Sequence, residues 1–514
     1  MKCIFLSARS AAVLLDETAP YFLPAPVRLT LNGRDAGKAD RTVYSLYGLS
    51  PDTAYTLTAQ AEGGPVQEIS FRTGKESHTL DVRRFGARGD GEHEDTAALQ
   101  AAILCCPPDG RVLIPRGNYI TGPLFLKSHV TIEWEKGAVL SLLTERDRFP
   151  ILPGVTFPRA DGDGDLLLGS WEGNPLDCYA AALNGIGVED VRLLGEGVID
   201  GRGQLGDWWV RPKERRGAWR GRLFYLRDCE NVTVQGLTFR NSPSWNLHPT
   251  FSRHLAFYDI RVEAPAVSPN TDGFDPESCR DVKLYGAHFS VGDDCIAIKS
   301  GKIYMGKKYA VPCRDIEIAW CAMLEGHGGV TIGSEMAGGV QHVRVHHCLM
   351  RGNDRGLRVK TRRGRGKNAV VDDIRFEDVT MERVKAPLVV NCMYFCDPDG
   401  RSPFVQSREK QPVDDGTPTI GAVRFERVSA RNCEACAAYI LGLPENPVRE
   451  IVIKDSFFTF LPGAKPMVPA MANGVEECRG RGVIAYFVSS LRLEGTRMEG
   501  LQGQELELHP GPDT

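Results

Sequence analysis

The sequence predicts an all-β protein, a parallel β-helix of stacked coils preceded by a small β-sandwich. Three observations predict it. First, a short apolar-x-apolar pattern recurs, starting at Val232, Leu255, Val282, Ile316, Val343, Ile374, Val423, Ile451 and Leu491. Its period of roughly 20–50 residues is that of a stacked repeat, and the alternation inside each unit makes the repeating element a strand. One coil cannot bury its inner face alone, so neighbours stack, and the unequal intervals are loops thrown out on one side. Second, four polar motifs punctuate this pattern: Asn270-Thr271-Asp272-Gly273, Gly292-Asp293-Asp294-Cys295, Gly326-His327-Gly328 and Arg358-Val359-Lys360. Third, the first 75 or so residues carry short alternating segments and turn clusters but none of these motifs. A propeller would need four strands in about 40–45 residues with a Trp-Asp signature, and nothing of that kind recurs.

With 514 residues, 42% hydrophobic and 25% charged, the chain is globular and long enough for more than one domain. The expected division is 1–75 and 76–514. In the first unit, strands are expected at Val27–Leu31, Tyr55–Thr58 and Ile69–Arg72, joined by turns such as Asn32-Gly33 and Gly63-Gly64. The run from Leu49 to Tyr55 looks like the tyrosine corner of a fibronectin type III module, in which the Tyr hydroxyl ties back to upstream backbone. The unit has no cluster of ionisable groups for chemistry, so its role reads as structural. One good helix follows, from Asp95 to Cys106. Asp95 can cap it, Ala- and Leu-rich sequence favours it, and Pro107-Pro108 ends it. It would plug the N-terminal end of the β-helix, whose coils run from about Val112 to Leu508.

Composition excludes little. A net charge of −4 does not point to a partner. No stretch reaches the 18 or so apolar residues of a membrane-spanning helix. The first fifteen residues, split by Arg9 and followed by Asp16 and Glu17, fit a signal peptide poorly. Together with 15 scattered cysteines, that leads us to expect reduced thiols and a cytoplasmic location. Cys433 and Cys436 form a lone C-x-x-C, better read as core than as a zinc or redox site. Two basic stretches stand out, Arg211–Arg222 with six Lys or Arg and Arg351–Lys367 with eight. The second falls on the face of the carboxylate motifs, where it is expected to attract an acidic polymer rather than nucleic acid. Oligomeric state is not legible.

Asp272, Asp293, Asp294 and His327 together suggest general acid–base chemistry. Crowded carboxylates push one another's pKa values apart, which supplies an acid and a base at one pH. Neighbours in a strand face opposite sides, so Asp293 and Asp294 need the bend that Gly292 permits to reach one surface. Trp245, Asn246 and His248, one coil earlier, belong either to a sugar site or to the core.

All four motifs, in this order, resemble the signature of glycoside hydrolase family 28, the polygalacturonases. The similarity covers about residues 78–500, including Asp190–Gly203 and Ser242–Pro249. The one departure is Val359 where Ile is commoner, which is chemically neutral. The resemblance implies a right-handed, pectin-lyase-like parallel β-helix and hydrolysis of α-1,4-galacturonan with inversion, without metal or other cofactor. It makes Asp293 the general acid, Asp272 and Asp294 the activators of water, and His327 the support of the acid. Substrate would be held by Arg358 and Lys360, with Asn270, Trp245 and His248 as further contacts. Inverting carboxyl groups should stand about 6.5–9.5 Å apart. The partner would be polygalacturonate or its oligomers. Alternatives are a rhamnogalacturonan or xylogalacturonan hydrolase, a calcium-dependent pectate lyase, or a non-catalytic β-helical pectin-binding protein. Three long insertions, Val198–Arg222 (with Trp208, Trp209 and Trp219), Lys302–Arg314 and Met393–Thr417, are expected to close one end of the groove into a pocket. That would make the enzyme exo-acting from the non-reducing end.

Overall fold

The computed structural model describes residues 1–157 and 164–509; residues 510–514, part of the expected second domain, lie outside the described residues. From Thr79 onward the chain winds through three parallel sheets. The first runs from Thr79–Asp81 to Leu491–Glu494, and the second from Asp90–Glu94 to Arg497–Glu499. The nine residues that mark the sequence repeat, from Val232 to Leu491, are register partners in one column of the first sheet. Every one except Leu491 is buried. The hydrophobic effect explains the stacking, since each buried Val, Leu or Ile contributes about 1.5–3 kcal/mol. Inside, rings stack along the axis, as in Phe376 on Phe425, whose centroids are 5.5 Å apart.

The third sheet carries the site. It runs in two stretches, one ending at Leu247–Thr250 and the other beginning at Ile296–Ile298. Between them lies the coil of Asp272, joined only by isolated bridges from Leu247 through Phe274 to Ile296 and from Thr250 through Glu277 to Lys299. Pro276 sits in that rung and offers no N–H to a ladder. The regular sheet therefore lapses where the first carboxylate motif emerges.

The helix is Thr96–Cys105, and it buries Leu99, Ala102 and Ile103. Asp95 occupies the N-cap position but does not cap. Its carboxylate accepts instead from the backbone N–H groups of Arg88 (2.7 Å) and Gly89 (3.0 Å), tying down the preceding loop.

Residues 2–72 form an antiparallel sandwich of a three-stranded and a four-stranded sheet. The Ser50 N–H donates to the Tyr55 hydroxyl at 2.9 Å. This sandwich is fixed to the corner between the first and second sheets. Leu14 and Val43 pack on Ala319 and Trp320, Arg41 pairs with Asp259, and Ser10 donates to Gln235 at 2.7 Å. The cysteines are free thiols, and Cys433 and Cys436 are both fully buried.

Candidate active site

A cavity of about 730 Å³ opens on the third sheet, and Asp272, Asp293 and Asp294 share its wall. Their nearest oxygens all lie within 4.8 Å of one another. That is closer than the expected inverting separation of about 6.5–9.5 Å, so a water would sit in the midst of the three rather than across a wide gap. Such a trio is also a donor set for a divalent cation. Here lysine side chains already bring positive charge to it.

The local backbone explains how neighbouring Asp293 and Asp294 both reach the cavity. Residues 292 and 293 form a bend, and the strand begins only at Ile296. Gly292 is required by close approach, since a Cβ there would lie 2.3 Å from the Ser268 carbonyl oxygen. Gly328 has a similar reason: its Cβ would fall 2.6 Å from Asp294 Oδ1. The Asp293 carbonyl oxygen accepts from the His327 N–H at 3.0 Å, and His327 Nδ1 meets Asp293 Oδ1 at 3.2 Å. The hydrogen bond to Asp293 outweighs burial and pushes the imidazole pKa up.

Asp294 is buried, which opposes its charge, yet Lys360 and Arg358 hold its carboxyl well below the usual range. Lys360 Nζ is 2.8 Å from Oδ2, and Arg358 is 3.7 Å from Oδ1. Asp272 is equally buried and is pushed the other way, by desolvation and by the nearby Asp293 and Asp275. Among the described residues its one ion-pair partner is Lys299, 3.8 Å away and divided among Asp272, Asp275 (3.5 Å) and Glu335 (3.2 Å). Burial pushes Asp275 up to about 8 in spite of that lysine.

Trp245 and Asn270 line the cavity. Asn270 Oδ1 accepts from Arg220 at 2.6 Å. His248 is corrected. It is 0% exposed and cannot touch a substrate; it sits behind Trp245, between Glu277 (2.8 Å) and Arg222 (3.4 Å), with its pKa pushed down to about 4 by burial. The basic stretch Arg351–Lys367 is corrected too. Arg362 and Arg365 bind Asp397, Arg363 binds Glu445, and Arg355 donates to the carbonyls of Val468 and Pro469. It works as internal bracing more than as a lure for an acidic polymer.

Of the expected insertions, all three reach the cavity, through Lys213 and Trp219, Lys302, and Tyr394–Pro398. Trp208 and Trp209 do not. Trp208 is in the core against Phe149 and Tyr179, and Trp209 donates to the Ser242 carbonyl. Sequence reasoning missed Lys299, Glu335, Met471 and the segment Trp171–Leu176. Lys299 had a signal, a lysine ending the apolar run Cys295–Ile298. Trp171 stacks between Trp219 (4.8 Å) and Trp245 (6.4 Å), and Arg222 lies over both Trp171 and Trp245. Lys302 ties this segment to another loop, pairing with Glu172 (3.6 Å) and Asp397 (2.8 Å).

A parallel β-helix with three crowded carboxylates, split in charge and facing a partly walled cavity, is the apparatus of a glycoside hydrolase. The sequence profile of the glycosyl hydrolases family 28 matches residues 165–455, and the chain belongs to that family. It is 30% identical over 408 residues, 78% of each chain, to a "Probable polygalacturonase" of Vitis vinifera. It is 29% identical over 317 residues to an "Endo-polygalacturonase" of Pectobacterium carotovorum subsp. carotovorum, covering 58% of this chain and 72% of that one. The family 28 exopolygalacturonase of Yersinia enterocolitica shares the fold, with a TM-score of 0.71 at 18% identity over 99% of this chain and 96% of that one.

Proposed function

We propose that this hydrolase cleaves α-1,4-linked galacturonic acid, removing single galacturonates from the non-reducing ends of short chains with inversion. The observation that carries the reading is the cavity itself, three carboxylates beside lysines with the tryptophan stack along one wall. The family relatives, named for polygalacturonate, support the substrate. The stack of Trp219, Trp171 and Trp245 lines one wall of the cavity and the Lys302 tie flanks it, which supports entry by a chain end.

Asp293, the most open of the three and held by His327, protonates the leaving oxygen. Asp294, an anion tethered by Lys360 and 1% exposed, acts through a water rather than by reaching the anomeric carbon itself. That supports inversion where the carboxylate spacing does not. Asp272, pushed up, favours keeping a proton, while Asp294, pushed down beside Lys360, favours charge, so the cluster offers both forms at one pH. The raised pKa of Asp272 favours a second reading, in which that residue is the acid. A substrate with a good leaving group needs no protonation, so the variant that regains activity on it, Asp293→Asn or Asp272→Asn, identifies the acid.

Product chromatography tests the whole reading. Galacturonate should be the sole early product, first released as the β-anomer by NMR. A ladder of medium oligomers with a rapid fall in viscosity would show cutting inside the chain.

A further inference from the structure

The basic stretch Arg211–Arg222 has six cations, and five are engaged. Arg211 pairs with Glu214 (3.2 Å), Arg215 with Asp177 (2.9 Å) and Arg216 with Asp207 (2.6 Å). Arg220 donates to the carbonyls of Pro243 and Pro269, and Arg222 to those of Arg220 and Ser170. The sixth, Lys213, is exposed, and among the described residues no carboxylate pairs with it. It lines the cavity with Trp219. The other ammonium groups on that wall all have carboxylate partners: Lys299 with Asp275 and Glu335, Lys302 with Asp397, Lys360 with Asp294. The loop is thus pinned on both sides of a single cation left for a ligand, on the cavity wall that Trp219 shares.

We propose that Lys213 is a specificity-determining residue that pairs with the carboxylate of the sugar at the non-reducing end, while Trp219 offers that sugar an apolar flank. This rests on the substrate and chain-end reading above. The contact forms equally in ground and transition states, so it belongs in KM. It also discriminates an acidic sugar from its neutral counterpart, because only the acid presents a charge to the ammonium.

The experiment uses the full chain and Lys213→Gln and Lys213→Arg variants. Kinetics are measured on trigalacturonate, with galacturonate and galactose as competing inhibitors. In Lys213→Gln, KM should rise about tenfold with kcat changed less than about twofold, as loss of uniform binding requires. The preference for galacturonate over galactose should shrink by a similar factor, and Lys213→Arg should restore most of it. Matching thermal unfolding of the variants checks that the exposed substitution leaves the fold intact. A Lys213→Gln enzyme with wild-type KM and wild-type preference overturns the proposal. So does a loss confined to kcat, which would make the residue part of loop positioning. Failure of the parent reading looks different: the wild-type enzyme itself would release oligomer ladders or leave trigalacturonate intact.

Discussion

Asp272 and Asp294 sit on adjacent coils, are both buried, and face the same cavity, yet the protein drives their protonation in opposite directions. Burial alone would raise both. The difference lies in the cations. Asp294 has Lys360 at 2.8 Å with Arg358 behind it, whereas Asp272 shares one lysine with two other carboxylates at a longer distance. Burial makes a carboxylate responsive, and the ownership of a cation decides which way it responds.

The strongest way to break the contrast is Lys360→Met. It removes the partner of a buried anion, and kcat/KM should fall about 10²–10³-fold, the scale of a preorganised electrostatic contact. Because the pKa of Asp294 then rises, the acid limb of the pH–rate profile should move to higher pH. A loss of activity with an unmoved limb would show that Lys360 serves the substrate instead. Next comes Asp272→Asn, expected to cost about 10²-fold in kcat as an acid–base contribution. A carboxyl with a raised folded pKa contributes stability below its unfolded value, about 3.9, and loses it as pH rises through the folded one. At neutral pH the group is therefore a burden, and the variant should gain about 0.5–2 kcal/mol of stability and unfold at a higher temperature. An unchanged or lower unfolding temperature at pH 7 would refute that.

A smaller effect is expected from His327→Gln, about tenfold in kcat as part of an acid–base group's contribution. The imidazole pKa is pushed above its ordinary value by the Asp293 hydrogen bond, so its protonated form, and activity with it, is lost only as pH rises through that higher value. The variant should lack that basic limb. Its persistence would assign the limb to another group. The smallest change sharpens the contrast by sparing Lys360: Arg358→Ala, with its guanidinium 3.7 Å from Asp294, should raise KM for galacturonate oligomers about threefold, as expected of a modest ground-state contact. It should do less on methyl-esterified oligomers. Equal losses on both would show that Arg358 does not read the carboxylate.

The coil architecture was legible because a buried column repeats the same apolar position, and Val232 through Leu491 announce it residue by residue. The three acids were legible because polar motifs there interrupt a strand pattern. Much of the rest depended on contacts between distant segments. Arg355, Arg362, Arg363 and Arg365 read as an open basic patch, since their partners lie dozens of residues away at Asp397, Glu445 and Val468. His248 could be read either way because a buried histidine and a ligand-facing one look alike without Glu277 beside them. Trp171 was silent because its role comes from being sandwiched between two other indoles.

The tryptophan wall also governs traffic. If the enzyme acts on chain ends as proposed, the severed sugar is left on the tryptophan side, beneath the shortened chain. The longer fragment must depart before the monomer can escape, so each cut ends the encounter. On this reading the enzyme cannot slide along one chain, and it works best on a crowd of short ones, where fresh ends are plentiful.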